Sequence, residues 1–265
     1  MKTILYYYTA TGNSLAIARN LAQGLGGAEL SPISAHRTGI FKPEAERVGI
    51  LFPVYAWGAP KTVEEFAAAI DLSGVEYCFA IASCGGTAAG ALMRFRRALR
   101  SKGGDLHAGF VVRSPSYVVD TGDGGEAGMI KMVRRLSGPR PGTDAERLPA
   151  IIEAVGACAH SKPEHGAFLG SALGNFFHNM ASAQFPKLDG GYKVSASCNG
   201  CGTCARVCPR ENVVVESGKP SWKHDCDFCA ACATWCPKGA ISHGEGASPA
   251  GRHHPDVGLR DMLLR

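Results

Sequence analysis

Eight of the eleven cysteines fall between Cys198 and Cys236 and repeat one pattern. The first copy is Cys198-x-x-Cys201-x-x-Cys204-x-x-x-Cys208-Pro209 and the second is Cys226-x-x-Cys229-x-x-Cys232-x-x-x-Cys236-Pro237. Three thiolates in one tight loop can cover three irons of a cubane, and the chain then leaves, with proline ending the turn. The fourth cysteine of each copy reaches the other cubane. The spacing thus assigns Cys198, Cys201, Cys204 and Cys236 to one 4Fe–4S cluster, and Cys226, Cys229, Cys232 and Cys208 to a second. Structural zinc also takes four thiolates per ion, but zinc ribbons need neither a third cysteine in step nor a following proline. Gly200 and Gly202 suit the tight turns of such a loop.

A second set of residues speaks for a phosphate. Thr9-Ala10-Thr11-Gly12-Asn13-Ser14 follows an apolar run and opens into a helical pattern. Hydroxyls at alternate positions, a glycine and free N–H groups at a helix start can hold a phosphate; an ordinary Ser/Thr capping turn is the alternative. The loop has no lysine and no G-x-G-x-x-G, so neither a Walker nucleotide loop nor a dinucleotide fingerprint is present. Two later runs end in Pro53-Val54-Tyr55-Ala56-Trp57-Gly58 and in Ser83-Cys84-Gly85-Gly86-Thr87. Two aromatics in one loop and glycines in the other would admit a flat ring. One loop for phosphate and two for a planar ring suit flavin mononucleotide (FMN). Cys84 also reads as a small buried filler.

These loops need a scaffold. Ile4–Tyr8, Val48–Phe52, Tyr77–Ala82 and Phe110–Val112 are short uncharged apolar runs, with Ala28–Ile33 a weaker fifth. Helical patterns at Ser14–Leu25, Lys61–Ile70, Ala89–Arg100 and Ala145–His160 alternate with them. That alternation predicts an α/β, doubly wound, five-stranded parallel sheet over residues 1–163, with ligands at the carboxyl ends of its strands. Residues 164–190 read as a connecting helix, its apolar stripe from Phe168 to Met180 packed on the first domain, followed by a hinge at Gly190-Gly191. Residues 191–243 read as a small α+β cluster domain and 244–265 as an extended tail.

The 265 residues are 45% hydrophobic and 19% charged, which excludes a disordered chain. No apolar stretch approaches the roughly 18–20 residues of a membrane span, and the start lacks a secretory pattern. Clustered cysteines without disulfide spacing fit a reducing compartment, so a soluble cytoplasmic protein is expected. The formal charge of +5 hints at nucleic acid. Two clusters and a flavin phosphate would bring it to about −1, so no nucleic-acid partner is implied. Arg94, Arg96, Arg97, Arg100 and Lys102 share one helical pattern, either a dock for an acidic partner or a solvated face. Arg252-His253-His254 reads as an idle part of the tail.

The cysteine region resembles the bacterial two-cluster ferredoxins. Residues 1 to about 160 resemble the flavodoxins, whose phosphate loop T/S-x-T-G-x-T/S matches at Thr9, Thr11, Gly12 and Ser14. The whole chain is similar to the flavodoxin–ferredoxin fusion family often called "ferrodoxin". Where that family tends to have Met-Pro-x-Asn-Tyr, this chain has Ser114-Pro115-Ser116-Tyr117, which leaves Tyr117 as a candidate flavin contact and lacks the asparagine. The resemblance implies an electron carrier that couples FMN to two 4Fe–4S clusters and serves redox protein partners such as a ferredoxin-type donor or acceptor. Apart from the resemblance, a homodimer would bring one chain's clusters to the other's flavin across a two-fold interface. The rival expectation is an iron–sulfur flavoenzyme reducing a small oxidant or using NAD(P)H.

Overall fold

The computed structural model describes residues 1–116 and 128–263. Strands β1 (Thr3–Tyr7), β2 (Glu29–Pro32), β3 (Arg47–Pro53), β4 (Tyr77–Cys84) and β5 (Ala108–Arg113) form one parallel sheet in the order β2-β1-β3-β4-β5. In register, Leu5 of β1 lies between Leu30 of β2 and Gly49 of β3. The strands are apolar throughout because helices cover both faces. On one face Leu5, Tyr7, Phe79 and Ile81 pack with α1 (Asn13–Gly24) and, later in the chain, α5 (Asp144–Gly156). On the other, Ile4, Tyr6, Phe52 and Ala80 pack with α2 (Lys61–Ala69) and α3 (Ala91–Arg100). A short helix, α4 (Gly128–Leu136), lies between β5 and α5 and was not expected from the apolar periodicity. A capping box starts α5, with Thr143 and Glu146 satisfying each other's backbone N–H groups.

The connecting helix α6 (Phe168–Leu188) packs only part of its apolar stripe, Leu173 and Phe177, on the first domain. Its buried line is Gly170, Gly174 and His178, one residue per turn, whereas Phe168 and Phe176 are 86% and 59% exposed. The glycines explain this. A Cβ on Gly170 would stand 2.6 Å from the backbone of Leu136 and Ser137, and one on Gly174 would stand 2.9 Å from Ala89. The helix thus presses its backbone onto the first domain along this line, with Leu173 and Phe177 packing beside it on Trp57, Ala89 and Val133. Gly190-Gly191, expected to hinge, lies in a 3-10 turn. Asp189 in that turn is buried and accepts from Asn212 Nδ2 at 2.9 Å and from the backbone N–H of His224 at 3.1 Å.

The cysteine-rich unit is a duplicated frame. Strand β6 (Tyr192–Val194) pairs antiparallel with β9 (Ile241–His243), and β7 (Val213–Glu216) with β8 (Lys219–Trp222). Two single-turn helices, α7 (Thr203–Arg206) and α8 (Ala231–Thr234), follow left-handed residues Gly202 and Ala230 at equivalent places. The tail is not extended: it folds back on α1, and α9 (Leu259–Met262) ends in the same core as Leu15 and Leu21. No helix among the described residues is long and apolar enough to cross a membrane.

Polar contacts fix this unit to the end of the sheet. The carboxylate of Asp227, 1% exposed, accepts from Tyr8 OH at 2.8 Å and from Thr62 Oγ1 at 2.6 Å. Arg210, also buried, donates to Glu65 at 2.6 Å and to Thr62 Oγ1 at 3.2 Å, and pairs with Asp225. Replacing Thr62 by valine keeps the shape but deprives Asp227 of one of its two hydroxyl donors, leaving Tyr8 alone. The expected loss is about 1–3 kcal/mol, read as a Tm lower by about 2–10 °C in thermal unfolding at unchanged iron content.

Candidate functional site

Cys198, Cys201, Cys204 and Cys236 line one cavity, closed by Val215, Pro220, Pro237 and Ile241. The cross-ligand from the second copy of the pattern therefore arrives beside the three cysteines of the first. Backbone N–H groups already point at thiols: Ala240 at Cys236 Sγ (3.3 Å), Asn212 at Cys208 Sγ (3.3 Å) and Phe228 at Cys226 Sγ (3.2 Å). The buried Tyr192 hydroxyl and Trp222 indole N–H, from rings stacked 5.1 Å apart, have no oxygen or nitrogen partner among the described residues and both face the Cys232 thiol. Such donors suit a sulfur-rich group. Burial pushes the thiols of Cys204 and Cys229 up, to about 11 and about 12, so as free thiols they would stay protonated at neutral pH. Binding a metal centre removes those protons. Cys201 is exposed, and the Thr203 hydroxyl holds its thiol below the usual range. The donor set fits two iron–sulfur groups.

At the other half of the site, β1 runs into Tyr8 and the loop from Thr9 to Ser14. Gly12 has φ 99°, a left-handed conformation that glycine adopts without steric cost, and it opens α1. Its N–H donates to Thr9 Oγ1 at 3.1 Å. Ser14 Oγ lies 3.4 Å from Ser83 Oγ at the end of β4. Asn13 donates through Nδ2 to the Pro115 carbonyl at 2.8 Å. Its Oδ1 and the nearby Ser114 hydroxyl are buried without a partner among the described residues. Orphaned polar atoms around a helix start are what a polar ligand would satisfy, so these residues fit a flavin phosphate and its attached chain.

The two ring loops stand beside this one. Tyr55 and Gly58 exchange both backbone hydrogen bonds, which places Ala56 (φ 45°) and Trp57 (φ 66°) in the left-handed region. Two non-glycine residues there cost about 1–2 kcal/mol each. His178 of α6 braces the turn, its Nδ1 lying 3.1 Å from Tyr55 O and 3.2 Å from Ala56 O. Its Nε2 lies 3.8 Å from Glu64. Burial works against the Glu64 charge, yet the His178 ring nearby and the hydrogen bond from Arg94 hold its carboxyl below the usual range. Trp57 buries its ring against Phe177 and Gly174 of α6, whereas Tyr55 faces Tyr8 edge-on with ring centroids 6.3 Å apart. Burial first, then Cys229 and Asp227, pushes the Tyr55 hydroxyl well above the usual tyrosine range, and Tyr8 behaves alike.

Thr9, Ala10, Thr11, Gly12, Asn13 and Ser14 are thus joined at the sheet's carboxyl end by Pro53 to Gly58 and by Ser83 to Thr87. Gly85 lies against Ser116, where a Cβ would approach to 2.9 Å. Tyr117 lies outside the described residues. The cysteine unit meets the same end, with Cys229 packed against the core that contains Ala10 and Leu15. Sequence reasoning missed Asp227, His178 and Trp235, each of which bridges segments far apart in the chain. Of the cations on α3, Arg94 pairs with Glu64 at 2.7 Å, and Arg96 and Arg100 both grip Asp105.

Strand order 2-1-3-4-5 is that of the flavodoxin-like doubly wound fold. Residues 197–241 match the family model of the 4Fe-4S dicluster domain. The chain thus joins a flavodoxin-like domain to a 4Fe–4S dicluster domain. No curated protein matches it by sequence. Among solved structures, flavodoxin 1 from Bacillus cereus is 17% identical, with 44% of this chain and 87% of that one covered and a TM-score of 0.36. A short-chain flavodoxin associated with a non-canonical PDU bacterial microcompartment is 16% identical, with 60% and 100% covered and a TM-score of 0.37. A flavoprotein in complex with FMN from Lactobacillus acidophilus NCFM is 13% identical, with 42% and 92% covered and a TM-score of 0.32. Similarities this low carry no weight here; the fold assignment stands on the strand order.

Cys84 ends β4, and burial pushes its thiol up to about 11, with Cys78 pushed up to about 12. At pH 8 only about one thousandth of Cys84 would be thiolate. Iodoacetamide at that pH is expected to label the half-exposed Cys158 of the native protein and to spare Cys78 and Cys84, as read by peptide mass spectrometry.

Proposed function

We propose that this protein is a cytoplasmic electron carrier that couples one FMN to two 4Fe–4S clusters and so converts between two-electron and one-electron transfer. When bound, the flavin would exchange electrons in pairs or singly, and each cluster would exchange one at a time. The supporting observation is the contact between the two halves. Tyr8, next to the phosphate loop, donates to Asp227, the neighbour of Cys226. A flavin seated on the strand-end loops would therefore lie beside the unit that holds the iron, without a diffusional encounter.

In this reading Thr9, Thr11, Ser14 and the first N–H groups of α1 bind the phosphate. Tyr55 to Gly58 and Ser83 to Thr87 flank the ring. Cys208, Cys226, Cys229 and Cys232 hold the cluster nearer the sheet. Cys198, Cys201, Cys204 and Cys236 hold the outer one, where the exposed Cys201 faces a protein donor or acceptor of ferredoxin type. The rival reading is a flavin-dependent reductase with its own small substrate.

Changing both Thr11 and Ser14 to alanine should remove flavin and leave iron unchanged; flavin retained at full occupancy would sink the phosphate assignment. Cys198→Ala and Cys236→Ala should lose the same half of the iron, since the two cysteines share one cavity; different spectra of the remaining iron would refute the cross-ligand. Anaerobic addition of reduced ferredoxin should bleach the flavin and cluster absorbance, with NADH and NADPH inert. Rapid bleaching by either nicotinamide would instead identify an enzyme that takes hydride directly.

A further inference from the structure

The carbonyls of the phosphate loop are held from outside. The indole N–H of Trp235 donates to Ala10 O at 2.7 Å, and the backbone N–H of His254 donates to Thr11 O at 2.8 Å. In a trans peptide the C=O and the following N–H point in opposite directions. Fixing Ala10 O and Thr11 O outward therefore turns the N–H groups of Thr11 and Gly12 inward. Gly12 N–H indeed points at Thr9 Oγ1 on the inner side. Carbonyl oxygens near a phosphate would repel it, and here two consecutive ones are engaged elsewhere.

The segment that supplies His254 is anchored at several points. The ring of His253 stacks on Trp235, with centroids 4.2 Å apart and an interplanar angle of 20°. Val257, 1% exposed, lies so close to the loop that a Cβ on Gly12 would come within 2.9 Å of it. Asp261 is held by Arg19 of α1 at 2.6 Å, and Met262 enters the core. Gly12 thus serves two needs: a left-handed turn, and room for the strap.

We propose that Trp235 and the strap 252–262 are part of the phosphomonoester site, positioning the loop 9–14 for the 5′-phosphate of FMN. The inference rests on the flavin reading given above. Trp235 and His254 are positioning residues: they hold the outer edge of a loop whose inner edge binds. Because they act on the phosphate end alone, their effect falls on FMN and spares riboflavin, which has the same ring and no phosphate.

The test uses the full-length protein with its iron verified, and measures dissociation constants of FMN and riboflavin by quenching of flavin fluorescence. Trp235→Phe keeps an aromatic ring for His253 and deletes the N–H. It should weaken FMN about three- to tenfold and leave riboflavin and iron content unchanged. Arg19→Asp and Asp261→Arg, both away from the loop, should each weaken FMN in the same sense, and the double exchange should restore it. An FMN constant within twofold of the wild type in both Trp235→Phe and Asp261→Arg would overturn the proposal, as would parallel weakening of FMN and riboflavin. Equal wild-type affinity for the two flavins would overturn the phosphate site itself, a result separable from failure of the strap.

Discussion

The arrangement depends on one buried carboxylate. Asp227 is almost wholly withdrawn from water and stands between a cluster cysteine and Phe228, yet its hydrogen-bond donors belong to the other domain. Burying a carboxylate is unfavourable unless its oxygens are satisfied, so the cysteine loop is comfortable only when seated against Tyr8 and Thr62. Arg210 adds a cation to the same junction, shared with Glu65 and Asp225. The result is directional. Apolar contact alone would let the two units slide, whereas a satisfied polar network admits one register.

Much of the scaffold was legible because it is periodic. Uncharged runs gave the parallel strands, and the repeated cysteines gave the 4Fe–4S dicluster unit. The short helix Gly128–Leu136 was missed although Ile130, Val133 and Leu136 recur at helical spacing, because its nine residues offer little more than two turns of pattern. The docking of the two domains was also invisible. Tyr8 and Asp227 are 219 positions apart, and a single hydrogen bond leaves no periodicity to read. The tail misled by composition: glycine, proline and histidine suggested an extended chain, whereas Val257 and Met262 are isolated apolar anchors that suffice to fold it back.

The connecting helix carries a similar lesson. Of its phenylalanines only Phe177 turns inward while Phe168 and Phe176 stay exposed, and its glycines permit the closer approach. With small residues inward, the backbone of α6 comes near enough for His178 to reach the carbonyls of Tyr55 and Ala56. That brace offsets part of the cost of the left-handed pair Ala56 and Trp57. A bulkier inward face would have kept the histidine too far away to act.

The returning strap changes the mechanical character of the molecule. A domain attached only through α6 would be a bead on a tether, free to sample a volume set by its linker. Here the iron-binding unit is tied to the end of α6 through Asp189, and the chain that leaves it is held on the first domain at Val257 and Asp261. Two anchorages turn a pendant module into a span. Large rotation of one half against the other would require local unfolding of an anchorage, so any separation in a working complex would be preserved by the chain's own geometry.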